Sequence, residues 1–74
     1  MHLSDLKVNG VAVIKKINLN DSELRRLYDL GFVIGSKVKT ILVSPSKLIK
    51  AYLIKDTVIA LRNSTSSKIE VECE

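Results

Sequence analysis

Turn-forming residues cut this chain into short pieces, and most of the pieces between them are β-branched or aliphatic runs of strand length. Asn9-Gly10 comes first, and Val11-Ala12-Val13-Ile14-Lys15-Lys16-Ile17 follows it. After Gly35-Ser36 come Lys37 to Val43, then Ser44-Pro45-Ser46-Lys47, then Ile49 to Lys55. Asp56-Thr57 reads as a tight connection to Val58 to Arg62, and Asn63 to Ser67 separates that run from Lys68 to Glu72. In the last run Ile69 and Val71 alternate with Lys68, Glu70 and Glu72, the signature of a strand buried on one face. Five such strands predict a mainly β fold. Closing them into a small barrel removes the exposed edges that an open sheet leaves unpaired.

One segment departs from this pattern. Asn20 stands three residues before Glu23, the spacing at which a cap side chain and a carboxylate satisfy backbone N–H groups at a helix start. From Asp21 to Leu30 the residues Leu24, Leu27, Tyr28 and Leu30 make an apolar stripe about 100° wide, while Glu23, Arg25, Arg26 and Asp29 point elsewhere. Gly31 follows, and glycine closes a helix in the left-handed conformation without a Cβ clash. A helix this short needs a sheet to pack on. The expected architecture is therefore a small barrel of about five strands with one short α-helix between the first and second.

Seventy-four residues allow a single domain over 1–74, with 46% hydrophobic and 27% charged residues fitting a globular chain. Aromatic content is 4% with no Trp, so the core must come from Val, Ile and Leu. No apolar run approaches the roughly 18 residues that span a bilayer, and Met1-His2-Leu3-Ser4-Asp5 lacks the features of a signal peptide. A cytoplasmic location without membrane insertion is expected. In that compartment Asn20-Asp21-Ser22 and Asn63-Ser64-Thr65 read as cap and turn chemistry, not glycosylation sites.

The net charge of +4 and pI near 9.4 favour acidic partners without selecting one. Lys15, Lys16, Lys37, Lys39, Lys47, Lys50 and Lys55 fall on separate segments and read as solvated strand faces. A basic barrel that binds nucleic acid is the competing reading, and three aromatic residues are a poor supply for stacking bases.

Catalytic chemistry has little to work with. One His, at position 2 in an end expected to fray, leaves no nucleophile–base pair, and the acidic residues are scattered without metal-ligand spacing. Neither an enzyme nor a bound cofactor or metal is expected. His2, Cys73 and Glu74 could meet if the chain ends lie together, which defines a third reading in which Fe(II) or Zn(II) binds directly; the plain reading of Cys73 is an incidental thiol. Gly31 and Gly35 follow a helix and read as backbone punctuation, not as a phosphate loop.

The informative stretch is Leu24 to Gly35, where the helix runs into three consecutive large apolar residues, Phe32, Val33 and Ile34. Such a loop is buried or bound. The favoured reading is that these residues finish the core; the functional one is a docking patch rimmed by Arg25, Arg26 and Lys37. The partner-binding residues to examine are Leu24, Arg25, Arg26, Leu30, Gly31, Phe32, Val33, Ile34 and Gly35.

This stretch resembles the FeoA domain family, as do others in order along the chain. The matching pieces are Leu3-Ser4-Asp5-Leu6 with Gly10, Arg26-Leu27-Tyr28-Asp29-Leu30-Gly31-Phe32-Val33-Ile34-Gly35, Ile59-Ala60-Leu61-Arg62 and Ile69-Glu70-Val71. Two turns depart from the family pattern: Ile34 stands where Pro is usual, and Ser46 to Lys50 lacks the Gly-Asp-Pro flavour common there. The resemblance implies an SH3-like barrel serving as a small cytosolic accessory to FeoB, the membrane ferrous iron transporter with a GTP-binding domain, as monomer or weak homodimer, without catalysis of its own. The pattern is also similar to the C-terminal domain of iron-dependent repressors, whose DNA-binding helices this chain has no room for.

Overall fold

A computed structural model describes residues 1–73. Five strands form one antiparallel sheet in the order β4-β3-β2-β1-β5, where β1 is Val11–Ile17, β2 Lys37–Val43, β3 Ile49–Ile54, β4 Thr57–Arg62 and β5 Ile69–Cys73. Helix α1, Asp21–Leu30, lies between β1 and β2 as expected. A bulge between Ile14 and Lys16 and another between Thr40 and Leu42 add local twist, so the sheet curls around its inner face. The small-barrel architecture holds, with the curl left open: β1 pairs with both β2 and β5, while β4 and β5 are the two sheet edges.

The core sits inside the curl. Ala12 and Ile14 of β1, Val38 of β2, Tyr52 and Ile54 of β3, Leu61 of β4, and Ile69 and Val71 of β5 are buried on one face, as period-2 alternation requires. Burial lifts the Tyr52 phenol above its ordinary value, and the neighbouring buried Ser66 offsets part of that rise without completing a hydrogen bond of good geometry.

Local chemistry explains the helix ends. Asn20 Oδ1 accepts from Glu23 N at 2.9 Å, and Asn20 Nδ2 donates to the Glu23 carboxylate at 3.0 Å. At the other end Gly31 has φ 102°; its N–H donates to Tyr28 O at 3.0 Å and Phe32 N donates to Leu27 O at 2.9 Å. These two bonds make a Schellman motif, in which the residue after the glycine packs on the residue five before it. Leu27 and Phe32 fill those two positions, and both belong to the buried cluster.

Four details differ from the sequence reading. The β3–β4 turn is Lys55-Asp56, both at positive φ (49° and 63°), so Thr57 already pairs with Ile54 as a strand residue. Asn63–Ser66 forms one helical turn, α2, where a plain loop was expected. The amino end does not fray: Val71 N donates to Met1 O at 2.8 Å, His2 bridges to Glu70, and Leu3–Asp5 is a 3-10 turn that buries Leu3 and Leu6. Lys50 is not on a solvated face; it is half-buried, and its ammonium donates to Ser4 O and to Leu6 O, tying the 3-10 turn to β3.

Candidate functional site

The stretch Leu24 to Gly35 divides its apolar residues between core and surface. On α1 Leu27 alone is fully buried and Leu24 is half-buried, whereas Tyr28 and Leu30 are 43% and 41% exposed. The buried stripe is thus narrower than expected, because the helix presents only one row of side chains to the sheet. Arg25 and Arg26 are exposed on the other faces of the same two turns.

In the loop Phe32 is 0% exposed, Val33 is half-buried and Ile34 is 59% exposed. Phe32 is therefore a core residue, the reading favoured from sequence, and its place in the docking set is corrected: the Schellman contact with Leu27 draws the ring inward. Ile34 is held outward by a tight turn. Ser36 N donates to Val33 O at 3.1 Å with Gly35 at φ 92°, the pattern of a type II turn with glycine at its third position and Ile34 at its second. Proline is common at that second position, and the turn closes here without it. Two further bonds, Gly35 N to Ile14 O at 2.8 Å and Ile14 N to Ser36 O at 3.0 Å, pin the loop to β1. Ile34 is consequently an exposed apolar side chain on a fixed backbone.

The site gains a second wall that the sequence reading did not include. A groove runs between α1 and β4, with Glu23, Arg26, Leu27 and Leu30 on one side and Ala60, Leu61 and Thr65 on the other. Beyond it the outer face of the sheet carries Leu42, Ile49 and Val58, all exposed, with Leu42 opposite Ala51 and Ala51 opposite Ala60. The signal was available in β2 and β3, Lys-Val-Lys-Thr-Ile-Leu-Val and Ile-Lys-Ala-Tyr-Leu-Ile, whose apolar residues fall on both faces instead of alternating.

The chain's aromatic residues do not form a base-stacking platform, because Phe32 and Tyr52 are buried and Tyr28 alone is exposed. Among the described residues no three His, Cys, Asp or Glu side chains come together. The chain ends do meet, with Cys73 Sγ 3.0 Å from Met1 Sδ, while Glu74 lies outside the described residues. Among the described residues no helix is long and apolar enough to cross a membrane.

Comparison with known proteins agrees with this geometry. The FeoA domain family matches residues 1–73. The chain is 32% identical over 72 residues to an Fe(2+) transport protein A/Fe(2+) transporter FeoB fusion protein of Porphyromonas gingivalis, covering 97% of this chain but only 8% of that protein's length. The FeoA protein of Chlorobium tepidum superposes with a TM-score of 0.94 at 27% identity, over 99% of this chain and 70% of that one. The zinc complex of Stenotrophomonas maltophilia FeoA, described as a prokaryotic SH3 domain protein, gives 0.79 at 32% identity over 97% and 89%. With an SH3-like curled sheet, the helix between its first two strands and a family match over nearly its whole length, this chain belongs to the FeoA domain family.

Proposed function

We propose that this chain is a cytoplasmic accessory of ferrous iron uptake, docking on the cytosolic part of an FeoB-type membrane transporter and modulating it. The observation that carries this reading is the pair of exposed apolar residues Leu30 and Ile34 on bonded backbone, with Arg26 beside Leu30 in the groove and Arg25 exposed on the same helix. Fixed backbone lowers the ordering cost of association, and an apolar centre with an arginine rim is the composition of protein interfaces. The Porphyromonas relative supports the choice of partner, since it joins transport protein A and FeoB in one polypeptide.

The test is binding of the full chain to the full-length FeoB transporter of the same cell in lipid nanodiscs. Leu30→Asp and Ile34→Asp each place a charge at an exposed position, so both variants fold; Ile34→Asp keeps the parent's thermal midpoint, and Leu30→Asp lowers it modestly because its carboxylate sits at the C-terminal end of α1. Each is expected to weaken binding at least tenfold, because a charge buried without a partner costs more than about 1.4 kcal/mol. Parent-like binding by both folded variants would sink the assignment.

A further inference from the structure

The register of the β3–β4 hairpin determines which backbone groups of β4 are already in use. Ile54 is opposite Thr57 across the two-residue Lys55-Asp56 turn, so these two exchange hydrogen bonds, and the alternation continues with Tyr52 opposite Ile59 and Lys50 opposite Leu61. Asn63 N donates to Leu48 O at 2.9 Å, which extends the same parity past the strand end. The N–H and C=O groups of Val58, Ala60 and Arg62 therefore point away from β3, along the outer edge of the sheet. That edge opens into the α1–β4 groove, where Leu27, Leu30 and Leu61 supply apolar surface. The usual protections of an edge strand are weak here: β4 has no proline and no bulge, and its outward side chains are Val58, 60% exposed, Ala60 and a single charge, Arg62.

We propose that the outer edge of β4 is a strand-addition site, taking an extended segment of alternating apolar and acidic residues from the transporter's cytosolic part; this rests on the docking reading above. The unpaired backbone calls for an extended occupant, since only a strand matches donors and acceptors repeating at every second residue. Apolar side chains on one face of that strand meet Leu30 and Leu61. Acidic ones, on the added strand's other face, meet Arg62, which is exposed on the sheet face opposite Leu61; within the groove Arg26 is exposed, while Glu23 is already hydrogen-bonded to Asn20. A second copy of this chain fits worse, because antiparallel pairing about Ala60 puts Arg62 opposite Val58 of the other copy and leaves the arginine without an acidic partner across the ladder.

Amide hydrogen exchange on the full chain, free and with the full-length transporter in nanodiscs, tests this directly. The amides of Val58, Ala60 and Arg62 are expected to exchange fast in the free chain and at least tenfold more slowly in the complex. Ala60→Pro removes an outward donor and no ladder bond, so it should weaken binding at least tenfold; Ala60→Lys is the backbone-neutral alternative should the proline variant fail to fold. Arg62→Glu should weaken binding most at low salt. If the edge amides are unaffected while Leu30→Asp still weakens binding, strand addition is overturned and the docking reading stands. If neither Leu30→Asp nor the edge variants change binding, both fall. If the edge amides slow with concentration in the free chain, the occupant is a second copy, which also overturns the proposal.

Discussion

Replacing Phe32 by Ala separates the two roles that its loop could play. The ring is 0% exposed and packs as the Schellman partner of Leu27 within the central cluster. Truncating a fully buried Phe removes its transfer free energy and leaves a cavity, together about 3–5 kcal/mol. A domain of 74 residues has roughly 4–11 kcal/mol of stability at about 0.05–0.15 kcal/mol per residue. Phe32→Ala should therefore consume a large fraction of the whole, and urea unfolding followed by far-UV circular dichroism will show a greatly lowered midpoint. Ile34→Ala, two residues on, serves as the internal control: its side chain is 59% exposed, and its loss should stay within about 0.5 kcal/mol. Should Phe32→Ala leave too little folded protein to measure, Phe32→Leu gives a smaller loss of the same sign. A loss below about 1 kcal/mol for Phe32→Ala, or equal losses at both positions, would show that the loop does not divide between core and surface as described.

Two other consequences concern polar groups inside the fold. Burial raises the Tyr52 phenol above 10.0, so the folded chain holds that proton more tightly than the unfolded one; its contribution is full below about pH 10 and falls as the pH rises beyond it. Tyr52→Phe removes an unsatisfied hydroxyl, so the variant should be at least as stable as the parent near neutrality and lose less stability in alkali. Identical alkaline losses in the two proteins would refute this. Lys50→Met deletes the donor shared by Ser4 O and Leu6 O, and because the site is half-buried the loss should be about 1 kcal/mol. Faster amide exchange confined to residues 1–6 is the accompanying sign, and unchanged exchange there would count against the tie.

What could be read in advance was whatever local chemistry determines. Asn20 with Glu23, and Gly31 after Leu30, bound α1 at the residues the sequence indicated, because caps act through neighbours within one turn. The β3–β4 turn falls one residue earlier than its composition indicates, because Lys55 adopts a positive φ that asparagine or glycine more usually supplies. Polar Asn63–Ser66 has the composition of a loop and became a helical turn only where it spans from β4 to β5. The amino end is ordered for a tertiary reason that local sequence does not carry: two leucines in six residues have no periodicity, and their burial depends on β5 and Lys50 far along the chain. The candidate site was legible as a stretch but not residue by residue. Phe32 and Ile34 are both large and apolar, and only the closing geometry of the helix sends one inward and the other out.

The pairing of β1 with both β2 and β5 has a consequence for synthesis of the chain on the ribosome. As the chain emerges from its amino end, β1 can take β2 as soon as the α1 connection is complete, yet its other side, together with Met1 and the 3-10 turn, waits for Ile69 to Cys73. Until β5 is free, the nascent sheet leaves open one side of β1, a strand that the folded domain keeps interior, and it is the last strand of the domain that seals it.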